Sequence, residues 1–116
     1  MPIGKGIWPA FWMLGANIEE MGWPKCGEID IVEAINDEQI IYNTIHWYKE
    51  ESNENDYFET NKINVNREEF HKYGLNWTKD EIIMYFDDEE TFRYELKEIK
   101  SEIFEKPFYL LLNLAV

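Results

Sequence analysis

Glu28, Asp30 and Glu33 place three carboxylates in the short stretch GEIDIVE, from Gly27 to Glu33. Ile29, Ile31 and Val32, interleaved with them, give that stretch the composition of a β-strand. In a regular strand successive side chains alternate faces, so Glu28 and Asp30 share one face and Glu33 falls on the other, among isoleucines. An unpaired carboxylate buried there costs on the order of several kcal/mol or takes up a proton. The pattern therefore predicts a β-bulge between Asp30 and Glu33, which inserts one extra residue and returns Glu33 to the face of the other two acids.

With the bulge discounted, Glu28 and Glu33 stand four strand positions apart, roughly 13 Å between Cα atoms as an upper bound. Two Glu side chains leaning together close to the ~5–5.5 Å carboxyl separation at which one carboxylate attacks an anomeric carbon while the other donates a proton to the leaving oxygen. Asp30, between them, shares a proton or hydrogen bond with a neighbour and raises that neighbour's pKa by repulsion. Spacing alone leaves two other readings open. One is the wet face of an amphipathic strand, ordinary in a chain with 24 acids and 11 bases. The other is a divalent-cation site, which ranks lower because no second ligand cluster and no EF-hand pattern lies nearby.

The surroundings narrow the choice. GKGIWPAFWMLG (4–15) precedes the triplet; TIHWY (44–48), FHKYGLNWTKDEIIMYFDDEE (70–90) and PFYLLLNLAV (107–116) follow it. Taken in this order, these stretches resemble glycoside hydrolase family 16, the clan of laminarinases and mixed-linkage β-1,3-1,4-glucanases. The E-x-D-x-x-E form is similar to the laminarinase branch. The resemblance implies an all-β, concanavalin-like jelly-roll β-sandwich and a retaining endo-β-glucanase acting by double displacement. It also implies the roles: Glu28 as nucleophile, Asp30 as assisting acid and Glu33 as acid/base. No organic cofactor is implied. A structural calcium found in the family is not expected, since its ligands come mostly from terminal regions lacking here, and no metal ligand is assigned. The implied location is secreted or cell-surface, although residues 1–5 contain no signal-peptide core.

Around the triplet the sequence predicts strands over 7–14, with Pro9 at a bulge or an edge, and then 28–35 and 40–48. Three more follow over 71–78, 81–88 and 90–97, with Gly74 at a bend, and a last one over 107–116. Residues 16–27 read as the loop leading to the acidic strand, 49–61 as a long polar connection, and 100–107 as one helical turn before the final strand. Six or seven short strands indicate a sandwich. Residues 1–116 are expected to form one partial catalytic domain, the central piece of a sandwich lacking strands at both ends.

Among binding residues, Trp12 and Trp23 are expected to meet substrate, with Trp8 as a weaker third. His46 is expected to contact substrate or a catalytic carboxylate, and Asn113, polar among LLL and LAV, to face the cleft. His71 is assigned to strand packing, and Cys26 to packing beside the acidic strand.

The net charge of −13 excludes nucleic acid and anionic membrane as partners, leaving a neutral β-glucan unaffected. No apolar run approaches the length of a membrane span. The apolar, nearly uncharged end of the chain predicts an exposed sheet edge. A homodimer covering such edges, or a catalytically weak or inactive glucan-binding sandwich that self-associates, is the alternative to a working enzyme.

Overall fold

The computed structural model describes residues 1–50, 56–99 and 102–116. Eight strands form two antiparallel sheets. The larger sheet contains β1 (Trp8–Gly15), β2 (Glu28–Glu33), β3 (Ile40–Trp47), β4 (Tyr57–Asn64) and β8 (Phe108–Ala115), in the order β4-β3-β2-β1-β8. The smaller contains β5 (Tyr73–Trp77), β6 (Glu81–Phe86) and β7 (Glu89–Glu95) in chain order. A four-residue helix, Ile18–Met21, precedes β2, and two 3-10 turns, Leu96–Glu98 and Ile103–Glu105, lead into β8.

The sheets pack through one apolar layer. Ile29 and Ile31 of β2 and Ile45 and Trp47 of β3 meet Ile82, Met84 and Phe92 of the smaller sheet, closed at one end by Leu96, Ile99 and Phe104. Val32, Ala34 and Ile41 form a second buried group. Ile31 and Val32 are consecutive and both point inward, which regular alternation forbids. The pairing explains it. Asp30 opposes Thr44 and Glu33 opposes Tyr42, so two residues of β2 face the single Asn43 of β3. On the other flank Phe11 pairs with Val32 and Trp12 with Asp30, leaving Ile31 as the extra residue. The predicted bulge is therefore present, and apolar burial of both Ile31 and Val32 is what it gains.

Three expectations are corrected. Residues 57–61 belong to β4 and are not part of a loop; the remainder of that predicted connection, 51–55, lies outside the described residues, as do 100 and 101 of the predicted helical turn. β4 is an edge strand exposed along most of its length, so it lacks the period-2 apolar signal by which strands are read. Pro9 is not on an edge strand, because β1 lies between β2 and β8. It occupies the second position of β1, where its carbonyl accepts the N–H of Ala34 at 3.1 Å. Gly74 makes no bend; it lies within β5 opposite Tyr85.

Candidate active site

Cross-strand register places the acidic triplet on the face of the larger sheet that points away from the core. One row across that face runs Tyr109, Leu14, Glu28, His46, Phe58; the next runs Leu111, Trp12, Asp30, Thr44, Thr60; a third holds Asn113, Ala10, Glu33, Tyr42 and Lys62. Glu28, Asp30 and Glu33 thus share one surface with Trp12, His46 and Asn113, all of them predicted site residues. Trp8, also on β1, joins them in the same alternation.

Two of the tryptophans hold the two glutamates. The indole N–H of Trp23 donates to Glu28 Oε2 at 2.7 Å, and that of Trp8 donates to Glu33 Oε2 at 3.0 Å. Both rings are nonetheless 48% exposed, so each pairs a polar edge on a carboxylate with an open aromatic face. Trp12 is more enclosed and donates to Asn113 Oδ1 at 2.7 Å, which gives the polar residue of the apolar terminal strand its partner. Trp8, ranked third by sequence, contacts the acid row directly; Trp12 does so only through its place beside Asp30.

Asp30 is buried, with 3% of its surface accessible, and hydrogen-bonds Glu28. Burial, then the charge of Asp30 and that hydrogen bond, push the Glu28 carboxyl up to about 7, against the opposing pull of His46 and the Trp23 N–H. Glu33 is also raised, first by burial and then by Asp30, with the Trp8 N–H and His46 working the other way. His46 Nε2 lies 3.4 Å from Asp30 Oδ2 and Nδ1 lies 3.0 Å from Asp56 Oδ1. Burial alone lowers an imidazole pKa, but the two carboxylate contacts and the charges of Asp30 and Glu28 outweigh it and carry His46 to about 9. Ligand-type atoms of Glu28, Asp30 and His46 fall within 4.8 Å of one another, close enough to surround a cation. Each imidazole nitrogen of His46 also lies beside a carboxylate oxygen, Nε2 beside Asp30 and Nδ1 beside Asp56.

Asp56 and Phe58 were not read from the sequence. Phe58 is exposed on the edge strand, its ring 5.7 Å from His46, and Trp23 lies at the same distance from that imidazole. Recognising β4 as a strand through the odd-numbered Tyr57 and Ile63, which pack toward the core, is the signal that places Phe58 on the opposite face. Trp77 and His71 are elsewhere. Trp77 donates to Phe104 O at 3.2 Å within the core, and His71 is held between Asp87 Oδ2 at 2.6 Å and Asn66 O at 2.7 Å. Cys26 is buried beside the start of β2, and burial raises its thiol. A hollow of about 740 Å³ lined by Trp47, Tyr57, Tyr94 and Ile103, among others, touches none of the acid row, which lies on an open face.

Close approach of the chain at the end of β1 fixes the segment that delivers Glu28. Gly15 N–H donates to Gly27 O at 3.0 Å, and a Cβ on Gly15 would stand 1.9 Å from the carbonyl oxygen of Cys26. Gly27 has φ +80, and a Cβ there would meet Ile103 Cγ2 at 2.5 Å. Only glycine satisfies both positions.

The chain is similar to several known proteins. The model of the XgeA-like, catalytic GH16 domain matches residues 1–99. A glucan endo-1,3-beta-glucosidase of Cryptopygus antarcticus is 34% identical over all of this chain and 47% of its own length. A keratan-sulfate endo-1,4-beta-galactosidase of Sphingobacterium multivorum is 31% identical over 97% of this chain and 28% of its own length. Among solved structures, the laminarinase catalytic domain of Thermotoga maritima MSB8 superposes with a TM-score of 0.84 at 37% identity, covering all of this chain and 49% of that one. The chain spans about half the length of the relatives it matches, or less, and no helix among the described residues is long and apolar enough to cross a membrane. With the family's domain model running through both flanks of a bulged strand that carries Glu28, Asp30 and Glu33, the chain belongs to glycoside hydrolase family 16.

Proposed function

We propose that this chain is the central part of a retaining endo-β-glucanase catalytic domain that cleaves β-1,3 or mixed β-1,3-1,4 glucan. The observation that carries the reading is the placing of Glu28, Asp30 and Glu33 on one open face by the β2 bulge, with exposed aromatic rings around them. In the first step the Glu28 carboxylate attacks the anomeric carbon, the glycosidic C–O bond breaks, and Glu33 gives its proton to the leaving oxygen. In the second, water attacks the same carbon, its proton passes to Glu33, and Glu28 is released.

The resting protonation runs against these roles at first sight, because Glu28, the attacking group, is the carboxyl pushed to about 7. The Glu28–Asp30 hydrogen bond removes the conflict. One proton is shared by that pair, and its withdrawal onto Asp30 as the substrate's positive charge develops leaves Glu28 free to attack. Glu33, raised by burial and by Asp30, is suited to hold the proton it must donate. The glucan crosses the strands, meeting the faces of Trp8, Trp23 and Phe58, while Trp12 and Asn113 line the β8 side. A polymer of this kind is met outside the cell or at its surface, where we place the action of the protein.

Laminarin, lichenan and a β-galactan, incubated separately, discriminate the substrate classes by reducing-sugar release. The expected outcome is release from laminarin or lichenan by wild type and none by Glu28→Gln, with NMR showing the β-anomer as first product. Inversion to the α-anomer, or equal release by the variant, defeats the assignment.

A second reading rests on β8. Its outer edge pairs with no strand among the described residues, and Leu110, Leu112 and Leu114 are 62%, 79% and 50% exposed. They alternate onto the core-facing side, opposite Met13, Phe11 and Pro9, where the three-stranded sheet does not cover them. Antiparallel pairing of β8 between two copies satisfies this open edge, sets the two leucine rows side by side and gives a glucan-binding dimer. Light scattering then shows a dimer that Leu112→Lys disperses; a monomer at all concentrations removes the reading.

A further inference from the structure

His46 stands between two carboxylates. Its Nε2 faces Asp30 at 3.4 Å and its Nδ1 faces Asp56 at 3.0 Å, while the rings of Trp23 and Phe58 each lie 5.7 Å from the imidazole. A neutral imidazole has one N–H and one lone pair. It can donate to only one of the two acids, and its lone pair would then face an oxygen of the other. With Asp30 and Asp56 both ionised, the two contacts are favourable together only when the ring carries two protons.

We propose that Asp56 is a positioning residue of the acid row, holding His46 as an imidazolium with its Nε2–H directed at Asp30. The inference rests on the catalytic reading given above for what the cation does, though not for its existence. The charged groups around the ring are Asp30, Glu28 and, farther along the same strand, Glu33, with Asp56 approaching from the start of β4. All are acids. A fixed positive charge among them limits the Glu28–Asp30 pair to one shared proton instead of two, and so keeps an attacking carboxylate within reach. Asp56 touches no reacting atom; it acts by setting the charge and orientation of His46.

The chain contains only two histidines, so imidazole NMR titration of the intact protein reports on His46 directly, with His71 as internal control. In wild type the His46 ring remains doubly protonated at neutral pH and titrates well above the ordinary histidine range. In Asp56→Asn its midpoint falls by at least one pH unit while His71 stays in place, and Asp56→Glu restores it. The acid limb of kcat/KM moves to higher pH in the Asn variant, because Glu28 loses part of its cationic neighbour. A wild-type His46 that titrates near 6.5, or a midpoint unmoved in the Asn variant, overturns the proposal. The NMR readout needs no turnover. An inactive protein with the titrations as expected would therefore count against the catalytic reading alone.

Discussion

The side-chain amide of Asn43 donates to the main-chain oxygen of Ile31 at 2.7 Å, inside the β2 bulge. A bulge leaves a carbonyl outside the regular ladder, and Asn43 is the single residue opposite it on β3. Asn43 is itself buried, so the irregularity that brings Glu33 round to Glu28 is stabilised from within the core.

Asn43→Leu keeps the branched outline of the side chain and removes the donor. The orphaned carbonyl costs about 1–3 kcal/mol, seen as a lower midpoint in urea unfolding. Slippage of Glu33 relative to Glu28 lowers kcat by on the order of 10²-fold with KM little changed. A variant with full activity and wild-type stability would show that the bulge does not depend on this bond.

Trp23→Phe keeps an aromatic ring but deletes the N–H that reaches Glu28. That contact holds the carboxyl down, so its loss raises Glu28 above about 7. Carboxyl ¹³C NMR shows the higher midpoint, and the acid limb of kcat/KM moves with it. An unchanged titration contradicts the contact.

Stability falls with pH over a defined window. Glu28 is raised from 4.5 to about 7 and His46 from 6.5 to about 9, and a group raised on folding stabilises fully below its unfolded pKa and loses that contribution as pH passes its folded one. Both contributions therefore decline in the same direction, the first between 4.5 and about 7, the second between 6.5 and about 9. Urea midpoints measured at half-unit intervals should decline across both windows, and His46→Gln should flatten the upper one. A midpoint that rises from neutral to pH 9 is the contrary result.

Gly15→Ala drives a methyl group into the Cys26 carbonyl, whose oxygen and carbon are main-chain atoms that cannot swing aside as a side chain would. Thermal unfolding is expected several degrees lower, together with reduced activity, because the displaced segment carries Glu28. By comparison Ile45→Ala, in the middle of the core, costs about 2–5 kcal/mol without selectively affecting the site.

Removing the Arg67 guanidinium tests the turn that follows β2. Arg67 is fully buried, with Nη1 donating to the carbonyls of Ile35, Asn36 and Glu38 and Nη2 to that of Pro2. Arg67→Met leaves these acceptors unpaired at a cost of about 3 kcal/mol. A loss below about 0.5 kcal/mol would show that water replaces the guanidinium freely.

The acid triplet, the bulge and the all-β fold were legible because they follow from local rules. Alternation on a strand of known composition leaves Glu33 on the wrong face, and one extra residue is the least change that corrects it. The identity of Asn43 as the bulge's partner was not legible, since its meaning depends on which residue of β3 stands opposite Ile31. β4 escaped for a related reason. An edge strand exposed along most of its length carries only a faint alternation, here Tyr57 and Ile63 at its two ends, and its other residues acquire their positions by pairing with β3. That Trp8 would meet Glu33 was not legible, because a lone tryptophan in sequence gives no hint of what its N–H will reach.

The amino-acid order alone determined that three carboxylates would share one strand, that the strand could not be regular, and that the surrounding chain would form short extended segments. Tertiary structure decided which indole holds which glutamate, that His46 lies between Asp30 and Asp56, and that Phe58 faces the site. The physical reason is one of range. Face and period are fixed by neighbours along the chain, whereas proton sharing and charge compensation depend on groups brought within a few ångströms across strands, and that proximity exists only after register is set.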